Sequence, residues 1–183
     1  MTYDYKFKLF IPALLKNEGG FVDDPDDAGG ATKYGVSTRF LVGRKIDVDH
    51  DGDIDRDDIV NMTLEDAMEI YFKFFWYPYN YSLIKTDKIS FRLFDFSVNA
   101  GATRCAIVLT ETLLNVGLSW LGNSIAIPQN VVNDINAYPE QTYFYEQLKI
   151  ELRDFYVGIA RKRNNRKYLR GWLKNRVEHN PFE

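Results

Sequence analysis

Residues 18–36 read EGGFVDDPDDAGGATKYGV, and this stretch is the most informative part of the chain. Glu18 ends an apolar helical pattern, two glycines break the pattern, and several aspartates then precede a Gly-Gly-x-Thr turn. Cleavage of a glycosidic bond takes a protonated carboxylic acid for the leaving oxygen. It also takes a second, ionised carboxylate or polar group that handles water or the oxocarbenium-like charge. The stretch therefore predicts a helix that delivers an acid to a polar turn.

The segment before Glu18 predicts an amphipathic helix over residues 5–18. Its apolar residues recur at i, i+3 and i+4 spacing and form one stripe: Phe7, Phe10, Ile11, Leu14 and Leu15. Glu18 falls on the same stripe, and Gly19-Gly20 then ends the helix because glycine readily adopts the left-handed C-cap conformation. A carboxyl group held against an apolar face loses hydration, which raises its pKa, and a raised pKa suits a proton donor near neutral pH. The alternative is a solvated glutamate at a frayed helix end.

The residues after the glycines predict a turn and a short hairpin that ends near Thr38. The aspartates around Pro25 are too turn-prone for a helix, and Gly29-Gly30 starts a tight turn. Such a hairpin would bring Asp27 and Thr32 across a cleft from Glu18. The alternative is an acidic, solvated loop with Thr32 as a strand or cap residue.

The whole stretch resembles the signature of the family-108 glycoside hydrolases, E-G-G-Y/F-x-x-D-P-x-D-x-G-G-x-T-x-x-G-I/V. Members of that family are N-acetylmuramidases, mostly phage endolysins and prophage or secretion-associated lysozymes. The resemblance implies that Glu18 is the general acid. It implies that Asp27, or else Asp26, is the second catalytic group and that Thr32 orients water. Tyr34 lies in the same motif and is a candidate substrate-binding residue.

The resemblance extends over nearly the whole chain. Residues 71–78 (YFKFFWYP) are similar to the family's Y-x-x-x-Y/F-W-x-P helix end, and residues 93–101 (LFDFSVNAG) are similar to its F-D-x-x-V-N-x-G segment. Residues 170–177 (RGWLKNRV) resemble the ending of the helical peptidoglycan-binding half that follows in this family. The resemblance thus implies a lysozyme-like catalytic region followed by a wall-binding region.

Three further residues are candidates for sugar binding. Trp76 belongs to an aromatic segment, and sugars stack their apolar faces on aromatic rings; the alternative is that these rings fill the core. Asp95 and Asn99 lie one helical turn apart on one face, so they either line the cleft together or brace neighbouring helices.

Residues 47–58 (DVDHDGDIDRDD) reproduce the calcium-binding EF-hand loop. Aspartates occupy positions 1, 3 and 5, glycine occupies position 6, an apolar residue position 8 and an acid position 12. The candidate ligands are Asp47, Asp49, Asp51, Asp53 (through its carbonyl), Asp55 and Asp58. Thr63 and Asp66 predict a capping box for the next helix. We expect a structural calcium ion that pins the catalytic hairpin to that helix, and no cofactor for catalysis; the alternative is an acidic disordered linker.

The chain as a whole predicts a mainly helical, lysozyme-like α+β fold with a small β-hairpin beside the active-site cleft. We expect a catalytic region over residues 1–100 and a helical peptidoglycan-binding-like region over 101–183, packed as one compact unit. Further helices are expected over residues 63–75, 89–99, 103–115, 128–135, 138–164 and 166–176. A chain of 183 residues with 45% apolar residues can bury such a core.

Composition narrows the function classes. The lone Cys105 excludes an internal disulfide, and His50 and His179 lack partners for a zinc or Cys-His site. The net charge is only −3, but residues 153–176 are basic. That basic helix is a solvated face or a weak attraction to the envelope; nucleic acid is not expected, because no nucleic-acid motif accompanies the charge. We expect a monomer.

These observations predict an endolysin-type N-acetylmuramidase. It would hydrolyse the β-1,4 bond between N-acetylmuramic acid and N-acetylglucosamine in bacterial peptidoglycan. The alternatives are a lytic transglycosylase and a non-catalytic, calcium-dependent wall-binding module. The N-terminus lacks a long uncharged apolar run. We therefore expect synthesis in the cytoplasm of a host bacterium without a signal peptide. The resemblance to the family-108 glycoside hydrolases implies release to the wall through a holin-type pore.

Overall fold

The computed structural model describes residues 2–18, 20–23, 30–120, 122, 124–162 and 165–182. The chain forms two compact units, Met1–Lys73 and Phe74–Glu183. The sequence places the functional boundary at residue 100, whereas the compact units divide earlier. The reason is that the helix ending at Ala100 packs against helices that follow it in the chain.

The first unit opens with helix α1, Tyr5–Glu18, which has the predicted bounds. Its stripe fills the core of this unit, with exposures of 0–2% for Phe7, Phe10, Ile11 and Leu14. The Phe7 ring packs against Tyr3 and Phe72, each with ring centroids 5.1 Å apart. Burial of an aromatic side chain is a large hydrophobic contribution, so these contacts fix α1 in place.

The predicted hairpin consists of β1 (Thr32–Lys33) and β2 (Val36–Ser37), which pair antiparallel. Its two-residue loop is Tyr34-Gly35, with φ of 52° and 78°. A type I′ turn requires positive φ at both central positions, and this turn matches the twist of the strands. Val22 extends the pairing through a bridge to Thr32.

Three short helices complete the first unit: α2 (Thr38–Arg44), α3 (Arg56–Asn61) and α4 (Leu64–Tyr71). The sequence predicted only α4, together with its capping box between Thr63 and Asp66, which the structure confirms. Helix α2 begins at a Ser37 side chain that accepts a hydrogen bond from the Phe40 N–H. Helices this short are marginally stable on their own, so they depend on such caps. They also have too few residues to show a clear apolar stripe in the sequence.

In the part of the chain that is described, the second unit contains five α-helices, besides the 3₁₀-helices Tyr77–Tyr79 and Tyr81–Leu83 and the π-helix Lys174–Glu178. The α-helices are α5 (Asp87–Ala100), α6 (Ala102–Asn115), α7 (Gln129–Ala137), α8 (Gln141–Lys162) and α9 (Arg166–Leu173). Every residue from 89 to 97 is buried, so α5 is the central helix of this unit. It packs against α6, α6 packs against α8, and α8 packs against α9.

Across the described residues the chain is mainly helical with one two-stranded sheet. This confirms the predicted fold class. None of the described helices combines the length and apolar character that crossing a lipid bilayer requires.

Candidate active site

Glu18 is the last residue of α1, and its half-buried side chain lies against the hairpin tip at Gly35. A methyl group built on Gly35 would lie 2.8 Å from both Cβ and Oε2 of Glu18. That separation is shorter than atoms tolerate without a bond. Only a glycine therefore allows the hairpin to approach the carboxyl group this closely.

Tyr71, the last residue of α4, also lies beside Gly35 at the hairpin tip. The methyl group built on Gly35 would lie 2.5 Å from its hydroxyl oxygen. Tyr71 is only 1% exposed, and its hydroxyl donates a hydrogen bond of 2.8 Å to the Tyr34 carbonyl. Helix α1, the hairpin and α4 thus meet at Gly35, with Glu18 at the junction. The sequence reasoning assigned Tyr71 no role at this site. The sequence signal that could have indicated this role is that Tyr71 is the first residue of the family-like motif at residues 71–78.

Thr32 and Tyr34 belong to the same hairpin as Gly35. The backbone of Thr32 exchanges two hydrogen bonds of 2.8 Å with Val22. Its half-buried hydroxyl lies 3.4 Å from the Gly30 carbonyl, to which it donates. The half-buried Tyr34 offers its carbonyl to Tyr71 and its ring to the Lys33 ammonium, 5.6 Å from the ring centroid. The hairpin therefore joins both predicted residues to the turn that contacts Glu18.

Asp26 and Asp27 lie outside the described residues, so their role as second catalytic group stays a prediction. Asp23, shortly before them, accepts a 2.7 Å hydrogen bond from Nε of Arg56. This hydrogen bond and the charge of Asp23 raise the pKa of the Arg56 guanidinium. Because Arg56 starts α3, the pair ties the acidic segment to the end of the calcium-like loop. Lys33 adds a second tie, since its ammonium donates to the Val60 carbonyl at 2.8 Å.

The calcium-like loop brings five of its six candidate aspartates into two groups, and the exposed Asp51 belongs to neither group. One group of oxygen atoms within 4.8 Å of one another comes from Asp47, Asp49 and Asp58, and a second comes from Asp53, Asp55 and Asp58. Asp58 belongs to both groups and is only 1% exposed. Oxygen ligands are what calcium requires. The residues therefore fit the predicted ion.

Backbone hydrogen bonds hold this loop in a closed turn. Asp47 accepts from the N–H groups of His50 (2.6 Å) and Gly52 (3.0 Å). Asp58 accepts from Val48 (2.5 Å) and Asp55 (2.7 Å). The positive φ of 104° at Gly52 places glycine where the turn requires it.

Two electrostatic features of the loop remain uncompensated by the described protein groups. Oδ1 of Asp49 is buried without a hydrogen-bond partner, although Oδ2 accepts from Asn61 at 2.8 Å. Repulsion from Asp51, followed by repulsion from Asp55, raises the pKa of the exposed Asp53. A bound cation would relieve both, because it supplies positive charge and a partner for the buried oxygen.

In the second unit, Trp76 and Asp95 occupy the core rather than an open surface. Trp76 is 1% exposed and packs its ring edge-to-face on Phe94, with centroids 4.9 Å apart. Asp95 is fully buried between Arg92 (3.1 Å) and Arg176 (3.0 Å). These contacts match the core alternative for Trp76 and the bracing alternative for Asp95.

Asn99 differs from Asp95 because it is exposed at the end of α5. Its Oδ1 accepts a 2.9 Å hydrogen bond from the Tyr156 hydroxyl on α8.

The basic residues near the C-terminus differ in exposure. Arg176 is buried with Asp95, whereas Arg166, Lys167, Arg170 and Lys174 are exposed.

The comparisons with known proteins agree with this arrangement. The family model described as Glycosyl hydrolase 108 matches residues 11–101. This part of the chain, which holds Glu18, the hairpin and Tyr71, therefore belongs to that glycoside hydrolase family. No curated protein matches the chain.

The solved structures that match include one described as "Structure of Brucella abortus SagA". It is 19% identical, has a TM-score of 0.69, and the alignment covers 94% of this chain and 92% of that one. At that identity the likeness shows the fold, which is mainly helical and lysozyme-like.

Proposed function

We propose that this protein is an endolysin-type N-acetylmuramidase that hydrolyses the β-1,4 bond between N-acetylmuramic acid and N-acetylglucosamine in bacterial peptidoglycan. One observation carries the proposal. Within a glycosyl hydrolase 108 region, the Glu18 carboxyl group is held at a helix end against a hairpin that only glycine could bring so close. That placement suits a general acid, which must be positioned with respect to the leaving oxygen.

In this mechanism Glu18 protonates the leaving oxygen. Asp27, or else Asp26, activates water or stabilises the positive charge, and Thr32 orients that water. Carboxyl groups about 6.5–9.5 Å apart leave room for water and predict inversion, whereas about 5–5.5 Å predicts retention through a covalent intermediate. We expect Asp27→Asn to lower the rate, and a full rate in that variant would assign the second role to Asp26 or to Thr32 alone.

The test is mass spectrometry of the soluble fragments released from purified peptidoglycan with calcium present. A muramidase leaves reducing-end N-acetylmuramic acid. Anhydromuramic ends would instead identify a lytic transglycosylase, since that reaction needs no activated water. The absence of fragments, with the protein retained on the wall, would identify a binding module.

The loop at residues 47–58 would bind a structural calcium ion through Asp47, Asp49, Asp51, Asp55 and Asp58, with the Asp53 carbonyl. The buried, unpartnered oxygen of Asp49 and the crowded carboxylates support this assignment. The ion would keep the hairpin in place, because the Arg56–Asp23 and Lys33–Val60 ties join the hairpin region to the helix at the end of the loop. Catalysis itself would need no cofactor.

Calcium is tested by thermal unfolding in chelator and in excess calcium. A ligand that binds only the folded state at 100 times its dissociation constant adds about 2.7 kcal/mol. We therefore expect a higher melting temperature with calcium. An identical curve in both conditions contradicts the assignment.

The remaining expectations follow from the same function. The protein would act on peptidoglycan as a monomer. It would be made in the cytoplasm of a host bacterium and would reach the wall through a holin-type pore. The exposed cations of α9 and of the π-helix Lys174–Glu178 that follows it would add a weak attraction to the anionic envelope.

A further inference from the structure

The second unit contains a cavity of about 670 Å³ that no step of the proposed mechanism uses. Four helices contribute its walls: the end of α5, the start of α6, the last third of α8, and α9. The residues that matter here are Asn99, Arg104, Asp154, Phe155, Gly158 and Trp172. A volume of this size is typical of small-molecule sites.

Two opposite charges line this cavity without neutralising each other. The exposed Asp154 carboxylate makes neither a hydrogen bond nor an ion pair with any residue in the described ranges. Arg104 donates from one terminal nitrogen to the Ala100 carbonyl at 2.8 Å and forms no ion pair with the described residues. Its remaining N–H groups stay available. The cavity thus presents an acceptor anion and a donor cation to one ligand.

An aromatic wall and an amide complete the lining. Trp172 packs against Tyr156 and Tyr168, with ring centroids 5.6 Å and 5.8 Å away at tilted interplanar angles of 30° and 34°. Tyr156 also fixes Asn99 by donating to its Oδ1, which leaves the Asn99 amide NH₂ as a donor. The Trp172 ring is thereby held in place as a flat surface at the cavity.

Gly158 keeps the α8 side of the cavity open. A methyl group built there meets no atom within 4 Å, and its backbone is not in the left-handed region. A larger side chain would therefore project into free space without straining the helix. This position allows the cavity to be filled while the fold is preserved.

We propose that this cavity binds the charged end of the peptidoglycan stem peptide, where a diamino acid presents an ammonium and a carboxylate side by side. Asp154 accepts from the ammonium, Arg104 donates to the carboxylate, Asn99 donates to a peptide carbonyl, and the sugar or peptide plane lies on Trp172. Arginine and aspartate are suited to these partners because charge-assisted hydrogen bonds are the stronger ones. The choice of ligand rests on the proposed function.

The test is calorimetric binding of an N-acetylglucosaminyl–N-acetylmuramyl tetrapeptide that carries diaminopimelate, compared with the same disaccharide without peptide. Neither fragment contains the bond that a muramidase cleaves, so binding is measured independently of hydrolysis. We expect the peptide-bearing fragment to bind at least about tenfold more tightly, as one or two charge-assisted hydrogen bonds imply.

Two variants and a control locate the binding. Asp154→Asn and Gly158→Leu should each weaken the peptide-bearing fragment about tenfold or more. Asp134→Asn removes the same charge from an exposed position on α7, away from the cavity lining, and should bind like the wild type. Gly158→Leu should melt no lower than the wild type, because leucine favours a helix more than glycine does.

Three results would overturn the proposal: equal affinity for the peptide-free disaccharide, unchanged affinity in both variants, or no binding at all. Absent binding alongside normal hydrolysis removes the cavity proposal and leaves the muramidase. Normal binding alongside absent hydrolysis removes the muramidase proposal and leaves the cavity as a binding site.

Discussion

Gly35 is the residue through which the hairpin reaches Glu18. We predict that Gly35→Ala lowers the rate of peptidoglycan hydrolysis by about a hundredfold, because the added methyl displaces Glu18 and Tyr71 and small displacements of catalytic groups are costly. An L-residue at φ 78° also costs roughly 1–2 kcal/mol of stability. Initial rates on purified peptidoglycan and chemical unfolding measure the two effects.

Gly43→Ala is the matched control. Gly43 lies within α2, where an added methyl meets no atom within 4 Å. That variant should keep its rate and gain about 0.5–1 kcal/mol. A normal rate in Gly35→Ala would show that the close contact with Glu18 is dispensable.

Cys105 gives a pH-dependent test of the core of the second unit. Its thiol donates to the Leu93 carbonyl, and burial raises its pKa to about 12. The folded state therefore binds the thiol proton more tightly than the unfolded state does. The resulting stability is complete below the unfolded pKa of about 8.5 and declines as pH rises towards about 12.

We predict that the stability difference between the wild type and Cys105→Ala shrinks as pH rises from 8 to 11. The slope is about 1.4 kcal/mol per pH unit once the unfolded thiol is ionised. Urea unfolding at a series of pH values measures this difference. A constant difference would mean that the thiol is not desolvated.

At the scale of elements, the carboxylates of the calcium-like loop are expected to have two roles: Asp58 accepts backbone hydrogen bonds within the loop, and Asp51 binds the ion. We predict that Asp58→Ala destabilises the protein by about 2 kcal/mol or more even in chelator, since two backbone N–H groups lose a buried acceptor. Asp51→Asn changes an exposed residue and should stay within about 0.5 kcal/mol of the wild type in chelator. It should nevertheless reduce the rise in melting temperature with calcium. Thermal unfolding of both variants, with and without calcium, measures this contrast; a full calcium response in Asp51→Asn would remove Asp51 from the ligands.

Elements with a strong local signal were predictable from sequence. The stripe of α1 predicted its bounds, and the glycines at 29–30 followed by residues 31–36 predicted a short hairpin, because both depend on nearby residues. The structure places the turn of that hairpin at Tyr34-Gly35. Helices α2 and α3 were missed, since each has fewer than eight residues and depends on a cap rather than on periodicity. The contact of Tyr71 with Gly35 joins distant parts of the chain, and spacing along the sequence does not encode it.

At the scale of the whole molecule, Asp95 joins α5 to the C-terminal segment. It pairs with Arg92 on its own helix and with Arg176, while Arg92 also donates to the His179 carbonyl. We predict that Asp95→Asn lowers the free energy of unfolding by about 3–5 kcal/mol, because two buried guanidinium groups lose their anion. Urea unfolding measures this, with Asp134→Asn as a surface control. Normal stability with lost activity would instead make Asp95 a substrate-binding residue.

The predicted division at residue 100 follows the sequence motifs, whereas the compact units follow the packing. The match to a hydrolase motif runs to Gly101, but α5 is buried by later helices, so the first compact unit ends at Lys73. Trp76 and Asp95 carry side chains that suit both sugar binding and core bracing. Only their burial, which depends on tertiary packing, separated those two readings.

The most direct test of the muramidase assignment is the lysis rate of purified peptidoglycan by Glu18→Gln. Glu69→Gln, the same change at an exposed position on α4, is the control. General acid catalysis contributes about 10²–10⁴ to a rate. We therefore predict at least a hundredfold loss in Glu18→Gln, with an unchanged melting curve, and a normal rate in Glu69→Gln. Substantial lysis by a folded Glu18→Gln would contradict the assignment of Glu18 as the acid.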